Sequence, residues 1–341
     1  MRSLLHIVSI LMLSALWTGC ARIEPDAGSV SQHLLGYEVI ESRLVSKAIF
    51  PTDQTFMSAA YKLPAGQTWD ANSNSSTQYF NTLQAEVKYQ GTYWKTDYDY
   101  YWPTDGGSLT FFSYSPTSVG AAISRDGVSV SGWDVMTTNA GQVILVADIA
   151  KDKTRNESYA GFTGVPTLFR HKLSKVSFMV AKSPYAEDEI DVRIKSIKVI
   201  DAYTKGDYSR GGYANDSWGN LSGLKDEGTP YVFFQSTEDD GDLLDLIPVQ
   251  KGPDAIMIPQ LLAESGAVHP RILVEYTTTA GTIVEEKSAE CFFVENFRSG
   301  QWAKGNHYTY TIYIGVGQYP IEFDGMVSDW LSSDMGTTVV Q

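Results

Sequence analysis

The side chains able to do chemistry are few in kind: two cysteines, Cys20 and Cys291, five histidines and forty carboxylates in 341 residues. A zinc site needs histidines or thiolates at short, regular spacing. His6, His33, His171, His269 and His307 show neither an H-x₃-H nor an HExxH arrangement. Glycoside hydrolysis needs two carboxylates facing each other across a cleft. With forty acids, chance pairs are expected, and none is singled out by a motif. The richest acidic run, "TEDDGDLLD" at 237–245, holds Glu238, Asp239, Asp240 and Asp242 off the alternate spacing that a calcium loop requires. It reads as a solvated loop. No G-x-S-x-G, P-loop or dinucleotide glycine pattern stands between a strand and a helix. The expectation is therefore no enzyme, no metal and no cofactor.

Cys20 is different. Arg2 gives a short positive start, and Leu4 to Trp17 are apolar apart from His6, Ser9 and Ser14. This run is shorter than the roughly 20 apolar residues a spanning helix takes, and it has the length of a signal-peptide core. "LSALWTGC" then closes it with small residues before a cysteine. The stretch resembles a bacterial lipobox, with Trp17 where a leucine is usual and Leu16 one place back. In that reading Cys20 is acylated and becomes the new N-terminus, anchoring the chain to a membrane without spanning it. The competing reading is an ordinary secretory signal with a coincidental cysteine. With Cys20 lipidated, Cys291 in "AECFFVENF" has no disulfide partner, and its apolar neighbours suggest a buried thiol.

The elements that would position any site are strands. Tyr and other aromatics are abundant, Gly is common, and the net charge is −14, which disfavours nucleic acid and anionic headgroups as partners. Residues 21–36 mix Pro, Gly, Ser and charge without period, as a tether does. "YEVIESRLVS" (37–46) is a first strand. In 56–61 Phe56, Ser58 and Ala60 oppose Met57, Ala59 and Tyr61, strand-like without a clean polar–apolar alternation, and "LQAEVKYQGTYWKT", "LTFFSYSP" and "QVILVADIA" continue the series. A break at 151–167 precedes "LFRHKLSKVSFMVAK", "DVRIKSIKVID" with a phase change near Ser196, "YVFFQS", "PRILVEYTTT", "TIVEEKSAECFFV" and "HYTYTIYIGV". Only "IPQLLAES" hints at a short helix. Strands at this spacing argue for β-sandwiches, dividing near residue 168. Two aromatic stretches, "DYDYYWP" with Tyr98, Tyr100, Tyr101 and Trp102, and "YTKGDYSRGGYANDSW", are either packed loops or a sugar-stacking surface.

"YWPTDGGSLTFFSYSP" (101–116), "FRHKLSKVSFMV" (169–180), "WAKGNHYTYTIYIGV" (302–316) and "PIEFDGMVSDW" (320–330) stand in the order seen in Bacteroidetes fimbrillins. The chain thus resembles the fimbrillin (Mfa-like) family of type V pilus subunits, from about residue 48 to 330. The resemblance implies an all-β fold of two transthyretin-like β-sandwich domains. It gives a signal peptide at 1–20, a leader with a removable first strand at 21–47, and domains at 48–168 and 169–341. It also implies export as an outer-membrane lipoprotein, protease removal of the leader, and strand exchange with other pilin subunits, which supports adhesion to a host or glycan receptor. Cleavage needs a basic residue before the first domain, and Arg43 and Lys47 are the candidates. Lys47 holds the family position but departs from an Arg-specific site. Arg43 fits that specificity but lies within the strand read at 37–46. Thr337 to Val340 in the tail are either a donor strand or the last strand of the second domain. A lipid-anchored adhesin that does not polymerise is the alternative.

Overall fold

The structure is a computed structural model and describes residues 34–41, 48–155, 164–186, 189–211, 216–263, 268–293, 300–315 and 321–330. Within the body that starts at His33, the described residues are almost all strand. The single described α-helix, α1 (Trp69–Asn72), is one turn long. The first eight principal strands are β1 (Tyr37–Glu41), β2 (Phe56–Leu63), β3 (Ala85–Tyr89), β4 (Trp94–Thr96), β5 (Ser108–Ser115), β6 (Gly127–Asp134), β7 (Leu145–Ala147) and β8 (Val165–His171). The second half adds β9 (Ser174–Lys182), β10 (Ile190–Ile200), β11 (Lys205–Gly211), β12 (Asp216–Ser222), β13 (Arg271–Ala280), β14 (Ile283–Phe292), β15 (Asn306–Ile314) and β16 (Glu322–Asp329).

Seven strands of the first half close on themselves in the order β5, β7, β8, β1, β4, β3, β2 and back to β5. Closure leaves these strands with neighbours on both sides and no open edge between them. The two opposed residue sets read at 56–61 face two different cores. Phe56 and Ala60 enter a core inside the circuit, while Ala59 and Tyr61 enter a second core outside it. On β5 Leu109 and Phe111 face the first core and Phe112 and Tyr114 the second. All eight residues of β5 are buried, as a strand covered on both faces must be.

The second core is roofed by β6, β11 and β12, with the three-residue strand Ala122–Ser124 at the edge. The hairpin β11–β12 lies well past residue 168, yet β11 pairs with β6, Gly211 opposite Gly127 and Lys205 opposite Asp134. A third core fills the space between the β9–β15–β16 sheet and the β10–β13–β14 sheet. There β9 and β15 run parallel over eight pairs, from Lys175–His307 to Lys182–Ile314. Tyr308, Tyr310, Ile312 and Ile314 are buried in this core, and so is Cys291. The phase change expected near Ser196 is a register shift between Ile194 and Ser196.

One expectation fails. The described part of "IPQLLAES" is not helical: Gln260–Leu261 form a short strand paired with Gln301–Trp302. Gln260 is the reason. Its amide nitrogen donates to the Tyr203 carbonyl (2.9 Å) and its amide oxygen accepts from the Tyr203 N–H (2.8 Å), which holds the backbone extended against a neighbouring segment.

Candidate functional site: the seat of the first strand

β1 is five residues long, and tertiary contacts must hold so short a strand. It pairs in parallel with β8, Tyr37 opposite Val165 through Glu41 opposite Phe169. On its other side Tyr37 pairs with Trp94 of β4, and Ile40 and Glu41 pair antiparallel with Ile49 and Ala48. Just upstream, the Leu35 N–H donates to the Tyr100 carbonyl and the Val165 N–H donates to the Gly36 carbonyl, both at 2.8 Å. Leu35, Tyr37 and Val39, at alternate positions, drive their side chains into the circuit's core. Each such buried side chain contributes about 1.5–3 kcal/mol.

The floor of the seat is aromatic. The Tyr37 ring meets Phe56 at 5.5 Å and Phe111 at 5.8 Å, both edge to face, and Phe50, Trp94 and Phe169 complete the cluster. Two hydroxyls interrupt it. Tyr37 donates to Ser58 Oγ (3.1 Å), and Ser113 donates to the same oxygen (3.0 Å). Burial pushes the Tyr37 phenol well above its usual range, so it stays a donor. Backbone also sets the fit. A Cβ on Gly164 would stand 2.6 Å from the Gly36 carbonyl oxygen, so only glycine lets the two chains approach this closely.

Arg43 and Lys47 fall within residues 42–47, between β1 and Ala48, and lie outside the described residues, as do Cys20 and the tail 331–341. The chain's organisation therefore sets the candidate cut positions immediately after the strand that completes the circuit.

A second polar assembly ties the β11–β12 hairpin down. The Lys172 ammonium is buried and lies 3.1 Å from Asp216, which also accepts from Tyr208 (2.7 Å). Burial pushes the Lys172 ammonium down to about 8. Burial alone would raise the Asp216 carboxyl, but Lys172, the Tyr208 hydroxyl and Lys304 outweigh it and hold the group down to about 2. Trp218 Nε1 donates to the Lys172 carbonyl (2.6 Å), and Arg210 reaches Asp148 (3.2 Å), which Arg170 also grips (2.9 Å). None of these long-range partners is signalled by spacing in the sequence.

A cavity of about 590 Å³ opens among Val135, Met136, Tyr231, Ala255 and Trp330, with Lys175 and Asp254 paired at 2.9 Å on its border. Ser177 and His307 adjoin that pair. The serine donates to Asp254 (2.5 Å), and His307 Nε2 lies 2.6 Å from its oxygen. A nucleophilic triad needs the serine proton directed at the imidazole and the carboxylate on the far ring nitrogen. Here the serine proton is committed to the carboxylate, so the group has the residue types of a triad without its order. Among the described residues no cluster of three or more His, Cys, Asp or Glu could hold a metal. Asp242 of the acidic run is taken up by Lys251 (2.7 Å) and Ser236 (2.5 Å). His171 stacks on Trp330 at 4.0 Å with 10° between the rings. In the tyrosine-rich stretch Tyr98 is 62% and Tyr101 46% exposed while Tyr100 is buried, and Tyr98 and Tyr100 are inclined at 55°. The second aromatic stretch is the β11–β12 hairpin, with Tyr208 buried in the second core. No described helix is long and apolar enough to cross a membrane.

The profile of the fimbrillin-like family matches residues 61–330. A crystal structure of a fimbrial protein from Bacteroides vulgatus superposes with a TM-score of 0.65 at 16% identity, covering 88% of this chain and all of that one. A candidate cell adhesion protein from Bacteroides uniformis (TM-score 0.48, 15% identity, 88% and 98% covered) and the tip fimbrial protein Mfa3 from Porphyromonas gingivalis with a C-terminal truncation (0.41, 11%, 82% and 95%) are more distant. No curated protein matches. The solved fimbrial protein shares the all-β architecture, and the family profile spans more than three quarters of the residues: the chain belongs to the fimbrillin-like family.

Proposed function

We propose that this chain is a structural subunit of a cell-surface fimbria, built from two transthyretin-like sandwich domains; the division expected near residue 168 falls within β8, and the β11–β12 hairpin crosses it to join the first half. It is exported as an outer-membrane lipoprotein acylated on Cys20. A protease cuts after Arg43 or Lys47, β1 leaves with the leader, and a strand from another pilin subunit takes its place. The fibre so formed carries adhesion. The observation behind this reading is the position of β1: a strand upstream of both candidate cuts is hydrogen-bonded on both sides and fills the core of its circuit. Its departure would bare unpaired N–H and C=O groups on β8 and β4 together with an aromatic trough. That combination is what strand addition requires. Donor and acceptor surfaces differ, so the contact is heterologous and generates a filament instead of a closed ring.

The test is the N-terminal residue of the protein recovered from the native cell surface, read by mass spectrometry. A chain starting at Leu44 or Ala48 is the expected outcome. A chain starting at acylated Cys20 would instead support the second reading, an anchored adhesin that does not polymerise. The exposed Tyr98 and Tyr101 favour that reading, since exposed aromatic faces can stack on sugar rings.

A further inference from the structure

The seat of β1 carries more information than an apolar plug needs. Its core is built from Phe50, Phe56, Phe111, Phe169 and Trp94, yet Ser58 from β2 and Ser113 from β5, directly opposite each other in register, put two hydroxyls into it. Both are buried, Ser58 completely. A buried hydroxyl is costly unless it is hydrogen-bonded. Ser58 Oγ accepts from Ser113 and from the phenol of Tyr37. The tyrosine thus reaches across the aromatic floor to one acceptor on the opposite side of the circuit. Polar pairs of this kind, set in an apolar core, fix register and reject wrong partners.

Resting on the strand replacement proposed above, we infer that the Ser58–Ser113 pair selects the incoming strand, and that this strand carries a tyrosine in the register of Tyr37. The backbone fixes that register. The carbonyl one residue before the tyrosine accepts from the Val165 N–H, and Gly164 leaves room there for backbone and nothing more. The flanking alternate positions, those of Leu35 and Val39, take aliphatic side chains. The partner is therefore an extended segment of the form aliphatic–x–Tyr–x–aliphatic, running parallel to β8. A phenylalanine fills the volume but leaves Ser58 one donor short. An aliphatic residue in its place also leaves the space of a ring empty between Phe56 and Phe111. The tail segment Thr337–Val340 has no aromatic residue, so it is a poor match for the seat.

The test uses the full chain with residues 42–47 exchanged for the recognition sequence of a site-specific protease. After cutting, labelled peptides compete for the seat and binding is read by fluorescence anisotropy. The peptides are residues 33–44, the same with Tyr37→Phe or Tyr37→Val, and residues 330–341. Loss of one hydrogen bond should make the phenylalanine peptide about five- to tenfold weaker. Loss of the ring should make the valine peptide at least ~100-fold weaker. In the Ser58→Ala chain the tyrosine and phenylalanine peptides should bind within about twofold of each other, because the acceptor is gone. Equal binding of the two peptides to the unaltered seat overturns the inference, and so does a tail peptide as tight as the tyrosine one. These peptide comparisons stand even if Ser58→Ala does not fold. If no peptide, including residues 33–44 themselves, enters the cut chain, strand replacement itself is wrong and the inference goes with it.

Discussion

Ser58 was legible in the sequence as one of three residues on a strand face, between Phe56 and Ala60, and the structure keeps it there. Its significance was not legible, because Tyr37 and Ser113 stand 21 and 55 residues away and only the closed circuit brings the three together. In the uncut chain the two ends of this contact differ in cost. Tyr37→Phe removes one donor and should lower stability by about 1 kcal/mol. Ser58→Ala strands the buried phenol and should cost about 1–3 kcal/mol, both read from urea midpoints. Gly164→Ala acts on the backbone: its Cβ would meet the Gly36 carbonyl oxygen at 2.6 Å. It should cost about 1–3 kcal/mol, as overpacking does. In the same variant, hydrogen exchange at the Val165 amide should accelerate, because the bond to Gly36 is the contact pushed apart.

The hairpin β11–β12 is an element whose place could not be read locally. Its sequence is rich in Gly and Tyr, with alternation too short to separate a loop from a strand, and its partner β6 lies well upstream, Lys205 opposite Asp134 and Gly211 opposite Gly127. What secures it is the pair Lys172–Asp216. The ordinary carboxyl value of Asp216 is 3.8 and the folded value is about 2. A carboxyl depressed by folding contributes stability that is complete above the unfolded value and is lost as pH falls through the folded one. Asp216 should therefore supply about 2 kcal/mol above pH 5, and that contribution should disappear between about pH 4 and pH 2. Asp216→Asn should flatten this part of the stability profile. At neutral pH it should also destabilise the chain by about 3–5 kcal/mol, because Lys172 is then buried beside no counter-charge. The expectation for "IPQLLAES" failed for a related reason. Its apolar spacing suits a helix, but the Gln260 side chain is engaged by the Tyr203 N–H and carbonyl and by the Ile258 carbonyl, and helix propensity is the weaker force.

Across the whole molecule, strand content, the principal alternations, the buried Cys291 and the family were readable from residue type and order. The three cores were not, because each is assembled from segments far apart in the chain. Leu173, Tyr208, Ile258 and Trp330, all past residue 168, join a core whose other buried residues come from the first half. Only Lys172 and Leu173, with a bend at Leu173, separate β8 from β9, so the seat of β1 and the long parallel ladder with β15 are joined by a very short connection. This directness has a mechanical consequence. Tension applied along a strand held in that seat would shear its bonds to β8 together instead of peeling them one at a time. It would then pass through a connection of two residues, bent at Leu173, into the eight residue pairs of the parallel ladder. A fibre of such units would yield little before it broke, and would hold a cell against flowing fluid as a stiff cable does.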